Sequence, residues 1–425
     1  MRILYSKAIT KIQAVIVGII VIVAIAASVG AYLLFVSPSK EKTEILVGAA
    51  VSLTGGYSEH GKQVAEGYRL WEEDVNSRGG LLGKPARFII YDDKSDPTTT
   101  KSLYERLITI DQVDLLLGPY PSSCAMSSAP VAEKYKMVVI YPAANSVTVY
   151  NYTATGWDFQ FCAHPVGLTD RQFLPFFYAV TNLLSNETMP KTIAIVNTAD
   201  VFPRTLAAGL VKLIETQFRD YGFKIVFKEE IPSGATDVTA VISKAKDSGG
   251  EIFFALGYLS GETLLLRTCY DLGYRPKMFV GATAGATKQF YSTAGAVAEG
   301  VTAFVFFHPS YPTKMAQDFV QKFRQKYGRD PEHYDSLAYA ACQILEAAVR
   351  AVGRIDHTAI RDWLVNHSVE TIWGTWEVDH DRIKEGFRYV PKVKAGVGQW
   401  QNGKWEVVWP KEYATAKFIY PKPWP

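Results

Sequence analysis

Several runs of this chain carry residue types that could do chemistry. Gly56-Tyr57-Ser58-Glu59-His60-Gly61-Lys62 has the glycine and lysine spacing of a phosphate-binding loop, set between an apolar run and a helix-like segment. That mechanism needs a hydroxyl after the lysine to hold magnesium, and Gln63 stands there, so nucleotide hydrolysis is not expected. Ser58, Glu59 and His60 adjoin in sequence, but catalytic triads draw on distant segments, and the chain has no Gly-x-Ser-x-Gly elbow or His-Glu-x-x-His pair. Asp92, Asp93 and Asp96 could hold a cation; immediately before Pro97, at a helix start, they read first as caps and turn residues. The acidic turn Asp379-His380-Asp381 lacks the rest of a calcium loop. Residues 118–123, Gly-Pro-Tyr-Pro-Ser-Ser, are different in kind: small hydroxyls and exposed backbone just before a helix, a place that suits an anion or a carboxylate. The residues therefore point to recognition rather than reaction, with no catalytic group, cofactor or metal expected.

A βαβ unit must position that loop. The apolar run 114–117 breaks at Gly118, a helix-like stretch covers 124–136, and a second buried strand, 137–141, breaks at Pro142-Ala143-Ala144-Asn145-Ser146. Parallel strands deliver both loops to one sheet edge, the edge where open α/β sheets bind ligands. The same alternation precedes the unit: a strand at 45–51, a helix with Val64, Tyr68, Trp71 and Val75 on one stripe, and a strand at 87–91. It recurs at 192–196, 224–227, 251–255 and 278–280, with spacings of roughly 26 to 32 residues that suit βα units. Two α/β halves are expected: residues 45–160 plus 305–355, and residues 161–304 plus 356–408. The chain would cross between them near 161–191, 301–307 and 353–356, which makes a hinge rather than a loose tether. In the second half the strand ends at Tyr258 and Thr283 face the cleft. Asn402-Gly403 marks a hairpin, and 409–425 reads as an extended segment packed on the surface.

A hydrophobic fraction of 48% is globular, and a formal net charge of only +3, with the 45 basic residues scattered, leaves no nucleic-acid footprint. No charged residue lies between Lys11 and Lys40, so residues 12–36 can cross a bilayer as one helix, for which ~20 apolar residues suffice. Lys7 and Lys11 favour a cytoplasmic segment 1–11, with 37–44 as a linker and the rest outside. Two alternatives stand beside a retained anchor: a cleaved signal peptide, or a pilin-like signal of archaeal surface proteins, which Lys7-Ala8-Ile9-Thr10 with Gln13 resembles. Each exports the remainder. Sequons at Asn151, Asn186 and Asn366 agree with export. Cys124, Cys162, Cys269 and Cys342 are far apart, and both disulfides and buried thiols remain open.

Ser52-Leu53-Thr54-Gly55, residues 76–83 (Asn-Ser-Arg-Gly-Gly-Leu-Leu-Gly), Tyr91-Asp92-Asp93 with Asp96-Pro97, Gly118 to Ser123, and Tyr141-Pro142-Ala143-Ala144 together carry a family likeness. From residue 45 to about 378 the chain resembles the ABC-transporter substrate-binding proteins for branched-chain amino acids and amides. The resemblance implies the type I periplasmic-binding fold: α/β, two Rossmann-like lobes joined by a multi-crossing hinge, here preceded by an N-terminal transmembrane helix. It implies that Ser122 and Ser123, with Ala143 and Asn145, hold the ligand's carboxylate and part of its amine. The ligand's side chain would sit among His60, Tyr120, Phe202, Tyr258 and Tyr334, where His60 and Phe202 occupy positions at which tyrosine is frequent. The family's acidic partner for the ammonium is replaced by Thr283, and its small disulfide is absent, Ser95 and Pro121 standing there. A buried ammonium without a carboxylate costs several kcal/mol. Either another acid serves, or the ligand is an amide, a urea-like compound or an aromatic acid. The expected partners are that small molecule, an ABC permease with its ATPase subunits, and the membrane, around a monomeric binding protein. The alternative is a sensor ectodomain using the same cleft, which the short segment before residue 12 disfavours.

Overall fold

The computed structural model describes residues 13–26, 28, 42–392 and 395–425. Residues 13–26 are helical with exposed side chains. Among the described residues no helix is long and apolar enough to cross a membrane. The expected cytoplasmic segment 1–11, most of the expected span beyond residue 26 and most of the linker lie outside the described residues. Residues 45–425 form a compact unit of their own.

Within that unit, short runs of branched and aromatic residues alternate with amphipathic helices, and they assemble two sheets. The first joins β1 (Ile45–Val51), β2 (Ala86–Asp92), β3 (Leu115–Leu117), β4 (Val139–Tyr141) and β5 (Gln160–Cys162) in the order β2-β1-β3-β4-β5, all pairs parallel. The second contains β6 (Thr192–Thr198), β7 (Lys224–Ile231), β8 (Ile252–Leu256), β9 (Met278–Gly281) and β10 (Thr302–Val305). After a small hairpin of β11 (Val369–Thr371) and β12 (Gly374–Trp376), β13 (Gly396–Gln401) and β14 (Lys404–Trp409) complete it in the order β14-β13-β10-β9-β8-β6-β7. The β13–β14 turn is Asn402-Gly403, both at positive φ, as that dipeptide favours. Strands β1, β3, β4, β6, β8 and β9 are buried along nearly their whole length, which is why they read as continuous apolar runs rather than alternating ones.

The strand β5 is short and bounded by Gly156 and Pro165, and it extends the first sheet beyond the expected boundary at 160. A larger correction concerns 356–390, expected on the second lobe. Gly353 is the left-handed cap of helix His333–Val352, φ 74°, and the chain does not leave the first lobe there. Helix His357–Asn366 follows on the same side: the His357 Nδ1 takes the Val138 amide at 3.2 Å, and Arg361 pairs with Asp158 at 3.0 Å. Trp376 donates to the Cys162 carbonyl at 3.0 Å, and Tyr389 to Asp158 at 2.8 Å. The third crossing therefore falls between Val390 and Gly396. A glycine cap looks the same in sequence whether the next helix stays or crosses; the ion pair with Asp158 decides it.

The first lobe is held by helix Ser58–Ser77 lying against His333–Val352. Trp71 Nε1 donates to Glu346 Oε2 at 2.8 Å, and Arg78 and Arg350 each reach the same carboxylate at 2.8 Å. These bonds hold the Glu346 carboxyl below its usual pKa against the opposing effect of burial. The four cysteines are free and buried. The end of the chain lies along the second lobe, with Lys422 N on the Lys277 carbonyl at 2.8 Å and Trp424 Nε1 on the Pro276 carbonyl at 3.0 Å.

The helix crossing is close because Gly67 lacks a side chain: a Cβ there would lie 2.3 Å from the Asp335 carbonyl and 2.7 Å from Ala338 Cβ. Gly67→Ala should therefore destabilise the protein in urea unfolding by about 1–3 kcal/mol, although alanine is the better helix former. An increase in stability would show that the two helices can part without cost.

Candidate ligand-binding cleft

The loops that follow β1, β3, β4 and β5 meet those that follow β6, β8 and β9 across a narrow space. Tyr120, Ser122, Ala143, Asn145, Phe202, Tyr258, Thr283 and Tyr334 line it, together with Pro121 and His164. Eight of the ten residues marked in the sequence are thus brought to one cavity. Ser123 and His60 stand beside it: Ser123 follows Ser122 in the first turn of helix Ser122–Lys134, and His60 stacks on Tyr334 with ring centroids 4.3 Å apart.

Each position follows from local structure. Ser122 begins its helix directly after Pro121, so the helix's amide end and its positive dipole face the space. The Ser122 hydroxyl accepts the Ser146 amide at 3.3 Å, linking the β3 and β4 loops. Asn145 is pinned by its amide nitrogen, which donates to the Gly167 carbonyl and to Gln172 at 3.1 and 3.0 Å. Its Oδ1, the Ser123 hydroxyl and His60 Nε2 are buried with no hydrogen-bond partner among the described residues. Buried polar atoms are normally paired, so these three, one at the space and two beside it, are candidate ligand contacts.

The aromatic wall is continuous. His60 Nδ1 and the Tyr120 hydroxyl are 2.7 Å apart, Tyr120 meets Tyr334 edge to face at 4.9 Å, and Tyr258 approaches Phe202 at 6.0 Å. Burial pushes the imidazoles of His60 and His164 down to about 3, so both are neutral at physiological pH. Among the described residues no carboxylate or ammonium lines the space. The free volume is about 10 Å3, room for roughly one water molecule, because the tyrosine rings fill the rest. On the far side of Tyr258 an outer chamber of about 270 Å3 opens between Tyr57, Ser95, Thr198 and Asp200. The inner space as it stands is too small for a molecule of amino-acid size.

Besides Pro121, two residues here were not marked as site residues in the sequence. Tyr57 closes the cleft from the first lobe, its hydroxyl 3.3 Å from Asp200 Oδ1 and its ring 4.8 Å from Tyr258. His164 lies just beyond β5, a strand too short to be read. The rule that strand ends face the site would have found both.

The acid missing at Thr283 has a neighbour. Glu262, in the first turn of helix Leu259–Asp271, is fully buried beneath the Thr283 loop, and its Oε2 accepts the Gly285 amide at 2.8 Å. The carboxylate fits only because residue 281 is glycine, whose Cβ would lie 2.7 Å from Oε2. It therefore braces the loop from behind and does not enter the cavity. Burial raises its pKa to about 8.

These features can be set beside known proteins. A family model described as periplasmic binding protein matches residues 44–388. The chain belongs to that family, whose members bind solutes rather than transform them. An amino acid binding protein of Pseudomonas aeruginosa is 26% identical over 339 residues, covering 79% of this chain and 86% of that one. A branched-chain amino acid transporter substrate-binding protein of Streptococcus pneumoniae, solved with isoleucine, superposes with a TM-score of 0.72 at 21% identity, over 89% of this chain and all of that one. An ABC-transporter solute-binding protein of R. palustris, solved with benzoate, gives 0.70 at 17% identity, over 90% and 97%. The α/β type I periplasmic-binding fold is thereby established.

Glu262 makes stability depend on pH. An unfolded glutamate ionises near 4.5, whereas the folded group keeps its proton up to about 8. Between those values the native state binds more protons, so this group lowers stability as pH rises through the window. Glu262→Gln should flatten that part of the profile in thermal melts across the same range. An unaltered slope would mean that Glu262 is ionised when folded.

Proposed function

We propose that this chain is the extracellular substrate-binding component of an ABC importer, capturing a small ligand with a carboxylate or amide head and presenting it to a permease. Support comes from one observation above all: loops from both sheets converge on a single uncharged space edged by unpaired buried polar atoms. The head group sits at the amide end of helix Ser122–Lys134, with Ser122, Ser123, Ala143 and Asn145 around it. His60, Tyr120, Phe202, Tyr258 and Tyr334 enclose the tail and exclude water.

Closure follows from linkage. A ligand touching both lobes stabilises the closed arrangement by the difference in its affinity for the two states. Tyr57 with Asp200, and Ser146 with Thr205 at 3.1 Å, already span the cleft. Thr283 with no carboxylate in the cavity favours ligands whose nitrogen is neutral, namely amides and urea-like compounds, or aromatic acids that carry no ammonium. The relatives' names place branched-chain amino acids beside these, and their ammonium would then be met by hydroxyls and Asn145 Oδ1 alone. Residues 12–36 anchor the protein in the membrane in this reading, with residues 45–425 outside and the protein acting as a monomer.

A thermal-shift panel of amino acids, amides, ureas and aromatic acids tests the ligand class, since a compound that binds only the folded state raises the melting point. Amides or carboxylates alone are expected to act; a shift with leucine, isoleucine or valine alone would overturn the assignment to neutral nitrogen. For whichever compound binds, Ser122→Ala with Asn145→Ala should abolish detectable calorimetric heat while circular dichroism is unchanged. Retained affinity would move the site elsewhere. Thr283→Glu should raise affinity for leucine about tenfold or more, the order of one charge-assisted hydrogen bond. Unchanged or weaker binding would remove Thr283 from the specificity account.

A further inference from the structure

Behind the cleft lies a second and larger cavity, of about 490 Å3, within the range of small-molecule sites. Its walls come from both lobes. Asp330 to His333 enter it from the start of helix His333–Val352; Lys288, Tyr291 and Ser292 and the hairpin residues Trp400, Lys404 and Trp405 enter from the second lobe. It adjoins the cleft through both walls, because His333 precedes Tyr334 and Ala286 follows Thr283 by three residues.

The wall is aromatic and fixed. Tyr291 lies 4.6 Å from Trp400, Trp400 lies 5.4 Å from Trp405, and Phe307 closes the far side. Glu299 holds one edge by accepting the Tyr291 hydroxyl at 2.6 Å and the Asn402 and Gly403 amides at 2.8 and 2.7 Å. The acids at the cavity already have partners. Asp330 pairs with Arg324, and Glu332 takes the Lys288 backbone amide at 3.2 Å and caps the following helix. His333 is buried and neutral. Lys288 and Lys404 are exposed residues of the lining, and neither forms an ion pair among the described residues. The cavity is therefore an aromatic box whose opening carries two ammonium groups outside any ion pair among the described residues, beside the Glu332 carboxylate on the Lys288 backbone amide.

We propose that this cavity is a second ligand site, separate from the cleft, for a small aromatic carboxylate whose ring packs against Trp405 and Phe307 and whose anion meets Lys404 and Lys288. A molecule held there touches both lobes at once. Aromatic faces supply the apolar contact and the ammonium groups supply the charge pairing.

Indole-3-acetate is a suitable probe, followed by calorimetry on the full chain. Three variants separate the sites: Lys404→Glu reverses the charge at the mouth, Ser292→Trp on the exposed face of helix Lys288–Ala294 fills the cavity, and Ser122→Ala with Asn145→Ala disables the cleft. Binding is expected with a Kd below about 1 mM, weakened about fivefold by Lys404→Glu and lost in Ser292→Trp. The cleft variant should keep the binding that Ser292→Trp removes. No heat from the folded parent, or binding that survives Ser292→Trp and disappears in the cleft variant, would overturn the proposal. In the second case the probe would have reported the cleft, and the reading of the cleft as the importer's site would stand by itself.

Discussion

Parallel pairing is the constraint on which the rest of this molecule depends. In a parallel sheet every strand delivers its following loop to the same edge, and both sheets here obey that rule over the strands that matter. The carboxyl ends of β1, β3, β4 and β5 therefore supply Tyr57 to His60, Tyr120 to Ser123, Ala143 to Asn145 and His164. Those of β6, β8 and β9 supply Phe202, Tyr258 and Thr283 from the opposite side. Because strand ends leave backbone and short polar side chains at the edge, the cleft is furnished with hydrogen-bonding groups before any particular ligand is specified.

The chemistry of the cleft lies in its neutrality. Two histidines are kept uncharged by burial, Glu262 is buried behind the Thr283 loop, and the remaining polar groups are hydroxyls and an amide. Charge is confined to the outer chamber, where Asp200 takes the Tyr57 and Thr198 hydroxyls. A buried ammonium would demand a carboxylate that the cavity lining does not offer, whereas in the proposed reading a carboxylate head meets the amide end of helix Ser122–Lys134. Free volume is nearly absent because the rings of Tyr120, Tyr258 and Tyr334 line and fill the space.

Mechanical coupling comes from three crossings of the chain between the lobes and from contacts that bridge them. His164 packs on Phe306 at 4.4 Å, Ser146 meets Thr205, and the Lys288 backbone amide donates to Glu332. Several strands of chain restrict the relative motion to hinge-like opening. The cavity at Trp405 lies along that seam, so its walls and those of the cleft move as the lobes move.

The sequence by itself determined the strand and helix alternation, the hairpin at Asn402-Gly403 and the loops that form the cleft. These are local properties: apolar runs of strand length, glycine and proline at their ends, and hydroxyl residues after them. The family resemblance, rather than any local pattern, marked Thr283 as a departure. Only the tertiary structure decided where residues 356–390 belong, since that rests on Arg361 meeting Asp158 some 200 positions away in the chain. It likewise decided that Glu262 sits behind Thr283 rather than in the cleft, that Tyr57 reaches Asp200, and that the four cysteines stay apart as thiols. The physical reason is common to all of these. Such contacts join side chains from separate elements, and their distances are set by how helices pack on sheets, which no local pattern of residues encodes.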